Sequence, residues 1–271
     1  DESWNEVKNY KINALLEKEK KVKEISCEDI NKKYNLPKFY IYYLAKIQQF
    51  YLNILKIPEE KFRFRQLSEK EKAFYNTIHF DIELDMETLD GFKEVSGLHY
   101  RTNYDLINHQ QASNESLEVF YNNKKFIPHV LEISFGIDRN LWALLDIFYK
   151  QERERTLFLF PSVIAPIEVA VFPLVNKDGL PEKAIEVYNL LKNEFRVIYD
   201  YSGSIGRMYR RVDEIGVPAM ITVDHKSLQD STVTLREIST MKQIRIPVQE
   251  LKSTLIKFLA GEHLQKLGKI I

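Results

Sequence analysis

The chain has a single cysteine, no long apolar run and no excess of either charge sign. Cys27 is the one cysteine in 271 residues, which excludes an internal disulfide framework and a cysteine-based zinc site. A lone thiol is typical of proteins from a reducing cytosol. No stretch approaches the about 18 apolar residues of a membrane-spanning helix, and we expect no signal peptide. These absences predict a cytoplasmic protein with no membrane partner.

The charges balance: Lys+Arg and Asp+Glu both number 39, so the formal net charge is zero. A general polyanion-coating role is therefore excluded, and any nucleic-acid contact must come from local patches. The hydrophobic content of 44% can supply real cores, and 271 residues predict about two domains. The chain begins at Asp1 without Met. We therefore expect a trimmed, cleaved or relabelled piece of a longer protein.

Arginine is missing from the first 62 residues, which are rich in lysine. We interpret 1–60 as a charged and helical segment. Its charged, lysine-rich part, 1–35, is most extreme at 17–23. We interpret it as a solvated helix face or mobile arm, with a nucleic-acid-binding arm as the minor alternative. Apolar residues at helical spacing then predict a core helix that Pro37 can open and Pro58 ends.

Four short runs with strand character follow, and then a helix. The strands are predicted at 62–65, 77–84, 91–98 and 130–135, and the helix at 140–149. This order predicts an α+β domain over 61–155, an antiparallel sheet backed by helices. A charged, proline-marked seam at 151–166 indicates a domain boundary.

The pattern after the seam is one of alternating strands and helices. Five strands and three helices predict a three-layer α/β domain with a mixed five-stranded sheet over 162–271. The strands are predicted at 167–172, 196–199, 219–223, 232–236 and 243–246, and the helices at 181–193, 204–215 and 248–260.

The segment 132–139 places an acid, a hydroxyl, a glycine turn and an arginine before the helix. Helix N-terminal N–H groups and the fork of Arg139 suit an anion, while Glu132 could hold a metal or an amine. A buried strand-turn-helix with a salt-bridged arginine is an equally good interpretation. Upstream, Glu83 and Glu94 lie on neighbouring predicted strands, where close carboxylates could share Mg²⁺. Solvent-facing strand acids are the alternative there.

The other dense signal is a Ser-Gly-Ser-Ile-Gly loop that opens the helix at 204–215. Three guanidiniums and a stackable ring on it are what single-stranded RNA recognition uses. These candidates are Arg207, Tyr209, Arg210 and Arg211. Without further context such a loop is only weak support for a mononucleotide site.

These segments, with others in the same order, resemble the glycyl-tRNA synthetases of archaeal and eukaryotic type, a family of class II aminoacyl-tRNA synthetases. The matching landmarks are Arg63-Phe-Arg-Gln66, Glu71-Lys-Ala-Phe-Tyr75, Gly91-Phe-Lys-Glu-Val-Ser-Gly97, Arg101-Thr-Asn-Tyr-Asp-Leu106, 126–134, the motif 3-like 132–139 and 201–216. The resemblance implies a partial class II catalytic sheet with motif 3 over 61–155, an insertion of that domain over 1–60, and an anticodon-binding domain over 162–271.

The resemblance also implies an activity, ATP-dependent activation of glycine and its transfer to tRNA(Gly), with Mg²⁺. Carried over by position, Arg139 and Glu94 are catalytic and bind ATP, Glu83 and Glu94 bind ATP and metal, and Glu132 and Ser134 bind glycine. The implied anticodon contacts are Arg207, Tyr209, Arg210 and Arg211.

Some positions depart from the family pattern. They are Leu67, Phe74, His99, Tyr100, Asn103 and Ile133, which indicate an altered pocket rim or relaxed constraint. Motifs 1 and 2 of the family have no counterpart here. We therefore expect an N-terminal portion carrying them as partner, in a homodimer or heterotetramer. The alternatives are a non-catalytic nucleic-acid-binding accessory protein and an ATP-dependent amide ligase for another amino acid.

Overall fold

The computed structural model of the protein describes residues 2–271, which form two compact units. One unit ends at Ile147 and the other spans Phe148–Ile271. The boundary therefore falls just before the seam at 151–166 that the sequence indicated. The reason is a short hairpin, β9 (Tyr149–Gln151) with β10 (Thr156–Phe158), whose Leu157 is buried in the core of the second unit.

The first unit is built on a six-stranded sheet with strand order β2-β1-β3-β4-β5-β8. Neighbouring strands are antiparallel except for the parallel pair β1 and β3. The strands are β1 (Lys11–Leu15), β2 (Lys23–Ser26), β3 (Phe62–Gln66), β4 (Ile78–Met86), β5 (Gly91–Thr102) and β8 (Val130–Phe135). A separate ribbon pairs β6 (Val119–Tyr121) with β7 (Lys124–Phe126).

Helices cover one face of this sheet and leave polar side chains on the other. On β4, alternation sends Phe80, Ile82 and Leu84 into the core, where Phe80 meets the ring of Tyr40. The Tyr40 hydroxyl donates to the carbonyl oxygen of Leu98 at 2.7 Å. The helices of the unit are α1 (Glu2–Val7), α2 (Cys27–Tyr34), α3 (Lys38–Gln49), α4 (Tyr104–Ser113) and α5 (Ile137–Phe148).

The first 60 residues differ from the sequence-based expectation. Residues 1–35 were expected to form a solvated helix face or mobile arm, but they contain the β1–β2 hairpin, and β1 joins the main sheet beside β3. Ile12 and Ala14 are fully buried, and the amide of Asn13 donates to Gln48 at 2.8 Å. The apolar–polar–apolar pattern of Ile12, Asn13 and Ala14 is too short to predict a strand from the sequence. The role of 1–60 as a catalytic-domain insertion stays a prediction.

The second unit confirms the predicted three-layer domain. Its sheet has the order β12-β11-β13-β14-β15, parallel among the first three strands and antiparallel from β13 onward. Its strands are β11 (Val169–Pro173), β12 (Val197–Tyr199), β13 (Ala219–Val223), β14 (Thr232–Glu237) and β15 (Gln243–Pro247). Its helices are α6 (Leu180–Leu191), α7 (Ile205–Ile215), α8 (His225–Asp230), α9 (Leu251–Leu259) and α10 (Leu264–Leu267).

Within residues 2–271, no helix is long and apolar enough to cross a membrane.

Candidate functional site

The uncovered face of the first sheet gathers charged and polar side chains from four strands. Residues directly opposite each other on antiparallel strands point to the same face, so the pairing register defines this set. Cross-strand partners are Arg63 with Glu83, Arg65 with Asp81, Glu83 with Glu94, His79 with His99, Gly97 with Ser134 and His99 with Glu132. Four of the predicted site residues therefore line one surface: Glu83, Glu94, Glu132 and Ser134.

Glu83 is buried in this surface and is fully engaged by arginines. One of its carboxylate oxygens accepts a hydrogen bond from Nε of Arg63 at 2.6 Å, and the other accepts from Nε of Arg65 at 2.9 Å. Arg65 also donates to Asp81 at 2.9 Å. Arg63 stacks over the ring of Phe92, with 4.1 Å between its Cζ and the ring centroid. Both oxygens of Glu83 are thus neutralised within the protein.

Glu94 lies opposite Glu83 but is half exposed and contacts a different cation. Arg139, at the start of α5, donates to the backbone carbonyl oxygen of Glu94 at 2.6 Å and lies 3.5 Å from its carboxylate. A β-bulge beside Glu83 shifts the register between these strands. The structure therefore places Arg139 beside Glu94 and holds the arginine by a backbone contact.

The two acids together do not fit a magnesium ion in this arrangement. Magnesium needs free carboxylate oxygens, and those of Glu83 already accept from two guanidinium groups. Among residues 2–271, no group of three or more His, Cys, Asp or Glu side chains is arranged to hold a metal. Of these two acids, only Glu94 has a carboxylate that is open to a ligand, so the metal pair stays a prediction.

The turn between β8 and α5 is anchored by a polar network that sequence reasoning missed. Asn140 donates to the carbonyl oxygen of Val95 at 2.8 Å and accepts from the Tyr51 hydroxyl at 2.6 Å. That hydroxyl also lies 2.7 Å from Oγ of Ser96. Burial raises the pKa of Tyr51 to about 12, so the hydroxyl keeps its proton. These bonds fix the start of α5, and with it Arg139, against β5.

Gly136 permits this close approach. Its amide donates to the carbonyl oxygen of Val95 at 2.9 Å, and a Cβ at this position would lie only 3.3 Å from that oxygen. Close packing against β5, as well as the turn itself, therefore favours glycine at position 136.

Glu132 lies on the same surface and accepts a hydrogen bond from Arg101. Arg101 is itself gripped by both carboxylate oxygens of Asp105, at 2.7 and 2.8 Å, and its guanidinium stacks 4.2 Å over Tyr75. The hydrogen bonds from Arg101 lower the pKa of Asp105. With its carboxylate more than a third exposed, Glu132 keeps one oxygen open for an ammonium group.

Ser134 faces a histidine that was noted only as a departure from the family pattern. Nε2 of His99 lies 3.3 Å from Oγ of Ser134, and its Nδ1 lies 3.0 Å from the amide nitrogen of Asn76. The ring stacks obliquely on His79 with 4.0 Å between centroids. Burial, followed by the neighbouring charge of His79, lowers the pKa of His99.

The second unit presents the predicted basic residues on α7, beside an open cleft of about 710 Å³. Arg207 is exposed with no ion pair among the described residues, whereas Arg211 pairs with Asp200 at 2.5 Å. Arg210 lies 3.4 Å from Asp213. Tyr209 differs from the expected stacking platform. Its hydroxyl lies 2.6 Å from Oγ1 of Thr222, and its ring is largely buried.

A buried ion cluster beneath α7 was also missed. Asp213 is completely buried and lies 3.1 Å from Arg236 and 3.4 Å from Arg155. Arg236 in turn stacks 4.6 Å from the ring centroid of Tyr209. The sequence alone does not show that Asp213 is buried and the neighbouring Glu214 exposed. The cluster holds α7 on the sheet and so sets the position of the basic residues above it.

Comparison with known proteins finds a matching domain family and a similar solved structure. Residues 168–258 match the anticodon binding domain family. The structure of prolyl-tRNA synthetase from Cryptosporidium parvum, complexed with L-proline and AMP, superposes with a TM-score of 0.61. The superposed region covers 82% of this chain and 46% of the prolyl-tRNA synthetase chain. The sequence identity is 19%, so the match shows the fold alone. The chain thus shares its fold with part of that synthetase, and its second unit contains the segment that matches the anticodon binding domain family.

Closer relatives are glycine–tRNA ligases. The chain is 42% identical to that of Treponema denticola over 209 residues, which cover 73% of this chain and 46% of the relative. It is 39% identical to the Borrelia hermsii enzyme over 224 residues, and 42% identical to the Clostridium kluyveri enzyme over 205. The chain spans about half the length of these curated relatives, and all three come from bacteria.

Proposed function

We propose that this chain is the glycine-binding and anticodon-binding part of a glycine–tRNA ligase. The observation that carries the proposal is the single polar face that holds Glu94, Glu132 and Ser134 beside Arg139. Similarity to glycine–tRNA ligases at 37–42% identity supports it. The archaeal or eukaryotic subtype remains a prediction, and the bacterial relatives show that such a sequence is not confined to it.

In the proposed reaction, glycine enters with its ammonium group at the open oxygen of Glu132 and beside the hydroxyl of Ser134. Its carboxylate attacks the α-phosphate of ATP, the bond to pyrophosphate breaks, and glycyl-adenylate forms. A ribose hydroxyl of the tRNA terminal adenosine then takes the glycyl group and releases AMP. The chain's residues position the reactants and offset charge, so no acid–base dyad is required.

Arg139 serves the phosphate end of ATP. Its side chain is half exposed, and its contact with the Glu94 carbonyl fixes the guanidinium at the N-terminus of α5, where the helix dipole also favours an anion. The use of Mg²⁺ stays a prediction, and no step of this mechanism depends on it.

We further propose that an N-terminal portion carrying motifs 1 and 2 completes the site, in a homodimer or heterotetramer. The sheet supports this, because β8 is an edge strand and large apolar side chains beside it are exposed. They are Ile133, Phe135, Ile137, Leu141 and Trp142. Such a surface at a sheet edge fits a strand and a hydrophobic face from the remainder of the enzyme. A cytoplasmic location remains part of the same proposal.

The deciding experiment is glycine-dependent ATP–pyrophosphate exchange. It is measured with this chain, with an upstream portion carrying motifs 1 and 2, and with both together. Exchange in the mixture supports the proposal. The variants Arg139→Ala and Glu132→Gln should abolish that exchange, whereas Arg153→Ala and Glu115→Gln, at exposed positions, should leave it unchanged. Absence of exchange in every combination, together with tRNA binding, would instead identify a non-catalytic accessory protein.

A further inference from the structure

His99 occupies the volume directly above a glycine in the proposed amino-acid pocket. A Cβ built on Gly97 would overlap Nε2 of His99 and would lie 3.2 Å from Oγ of Ser134. Gly97 and Ser134 are cross-strand partners, as are His99 and Glu132. The imidazole therefore leans back over Gly97 and fills the space next to the two residues assigned to glycine. A side chain at Gly97 would force the ring out of this place.

The ring is held there by contacts on its other side. Asn76 is 4% exposed, and its amide nitrogen lies 3.0 Å from Nδ1 of His99. The second face of the imidazole meets His79 at 4.0 Å between centroids. With Nδ1 accepting from Asn76, the proton of the neutral ring belongs on Nε2 and points toward the oxygen of Ser134. The ring has little freedom to swing away.

Two buried polar atoms in this cluster have no hydrogen-bond partner within residues 2–271. They are Oδ1 of Asn76 and Nε2 of His79, although the latter lies 3.2 Å from a carboxylate oxygen of Asp81, out of line for a hydrogen bond. Groups left in this way cost about 1–3 kcal/mol each and are uncommon in native interiors.

We infer that His99 is the residue that limits the size of the amino-acid substrate. The inference rests on the proposed function and adds a determinant of specificity to it. The imidazole forms a wall where the Cβ of a larger amino acid would enter, while Glu132 and Ser134 bind the ammonium end. Asn76 is a positioning residue that acts through the ring. A fixed wall rejects a larger amino acid by steric overlap. Contacts with the ammonium and carboxylate groups cannot do this, because all amino acids have these groups.

The test measures exchange with glycine, L-alanine and L-serine, using the chain together with the upstream portion. His99→Ala should raise the kcat/KM ratio of alanine to glycine by roughly 10- to 200-fold, the range that one methyl or methylene group commands in a pocket. Asn76→Ala should raise the ratio less, and the double variant should match His99→Ala because both act on one wall. The control His109→Ala removes an exposed histidine from α4 and should leave the ratio unchanged.

An unchanged ratio in His99→Ala, with glycine exchange intact, overturns the inference and leaves the proposed function standing. If the wild-type mixture shows no glycine exchange, the proposed function fails separately. The imidazole resonances of the chain then decide the role of His99. Titration with glycine should shift the His99 signals and titration with alanine should not, whereas equal shifts overturn the inference. If His99→Ala does not fold, the alanine-to-glycine ratio of Asn76→Ala decides in its place.

Discussion

Glu83 and Glu94 are cross-strand partners, yet their carboxylates contact different arginines. Glu83 is buried between Arg63 and Arg65, and Glu94 is half exposed beside Arg139. Two neighbouring acids that were expected to act as a pair therefore have separate roles. Glu83 ties β3 to β4, and Glu94 is the acid that remains open to a ligand.

The first prediction distinguishes these roles by stability. Glu83→Ala removes the carboxylate partner of Arg63 and one of the carboxylate partners of Arg65, both partly buried, so it should lower the free energy of unfolding by ~3 kcal/mol. Glu94→Ala removes a half-exposed pair and should cost less than about 1 kcal/mol. Urea unfolding of the two variants measures both values. Equal losses would show that Glu83 is not the structural member of the pair.

A second prediction concerns the network that fixes α5. Asn140→Ala removes the acceptor of the Tyr51 hydroxyl and the donor to the Val95 carbonyl, and should cost about 1–3 kcal/mol. Tyr51→Phe keeps the packed ring and removes only the hydroxyl. Both changes break the same hydrogen bond, between Tyr51 and Asn140. The double variant should therefore lose less stability than the sum of the two single losses. Additive losses in denaturant unfolding would argue against a shared network.

The third prediction addresses the ion cluster of the second unit. Asp213→Ala would leave Arg155 and Arg236 buried without a counter-charge, with side-chain exposures of only 2% and 4%. The expected loss is about 3–5 kcal/mol in the free energy of unfolding. Glu214→Ala, at the exposed neighbouring position, should change it by less than about 0.5 kcal/mol. A small effect of Asp213→Ala would mean that water enters the cluster.

The depressed pKa of His99 predicts a pH dependence. Because burial and the charge of His79 lower this pKa, the folded chain binds fewer protons at His99 than the unfolded chain does. Its contribution is therefore fully present above the ordinary value of 6.5 and is lost as the pH falls below it. Between pH 7 and pH 5, His99→Gln should lose less stability than the wild type. Parallel pH profiles for the two chains would contradict this assignment.

The last prediction concerns the basic face of α7. Arg207 is exposed and has no internal ion pair among the described residues, so Arg207→Ala should weaken tRNA binding without loss of stability. The slope of log affinity against log salt should become shallower by about one, as for one lost phosphate contact. Lys257→Ala, an exposed change on α9, serves as the control. Binding that changes equally in both variants would place the RNA elsewhere.

The polar face was predictable from sequence to a useful extent. Alternation in 77–84 assigns Phe80 and Ile82 to the core and Asp81 and Glu83 to the opposite face, because successive strand residues point to opposite sides. The five strands of the second unit were also confirmed; β11 and β13 are buried along their whole length and have nearly continuous apolar sequences rather than alternating ones. The hairpin of β1 and β2 was not predicted, since its pairing with β3 joins residues about fifty positions apart in the chain.

The sequence by itself determined most strands of the two large sheets, their order and the segment 132–139 with its acid, hydroxyl and arginine, because these depend on local spacing. Only the tertiary structure decided which partner each charge takes. It placed Glu83 between two arginines, buried Asp213 in an ion cluster, tied Asn140 to Tyr51 and laid His99 over Gly97. Such partners come from distant strands and helices, and burial sets their energies, so no local pattern records them.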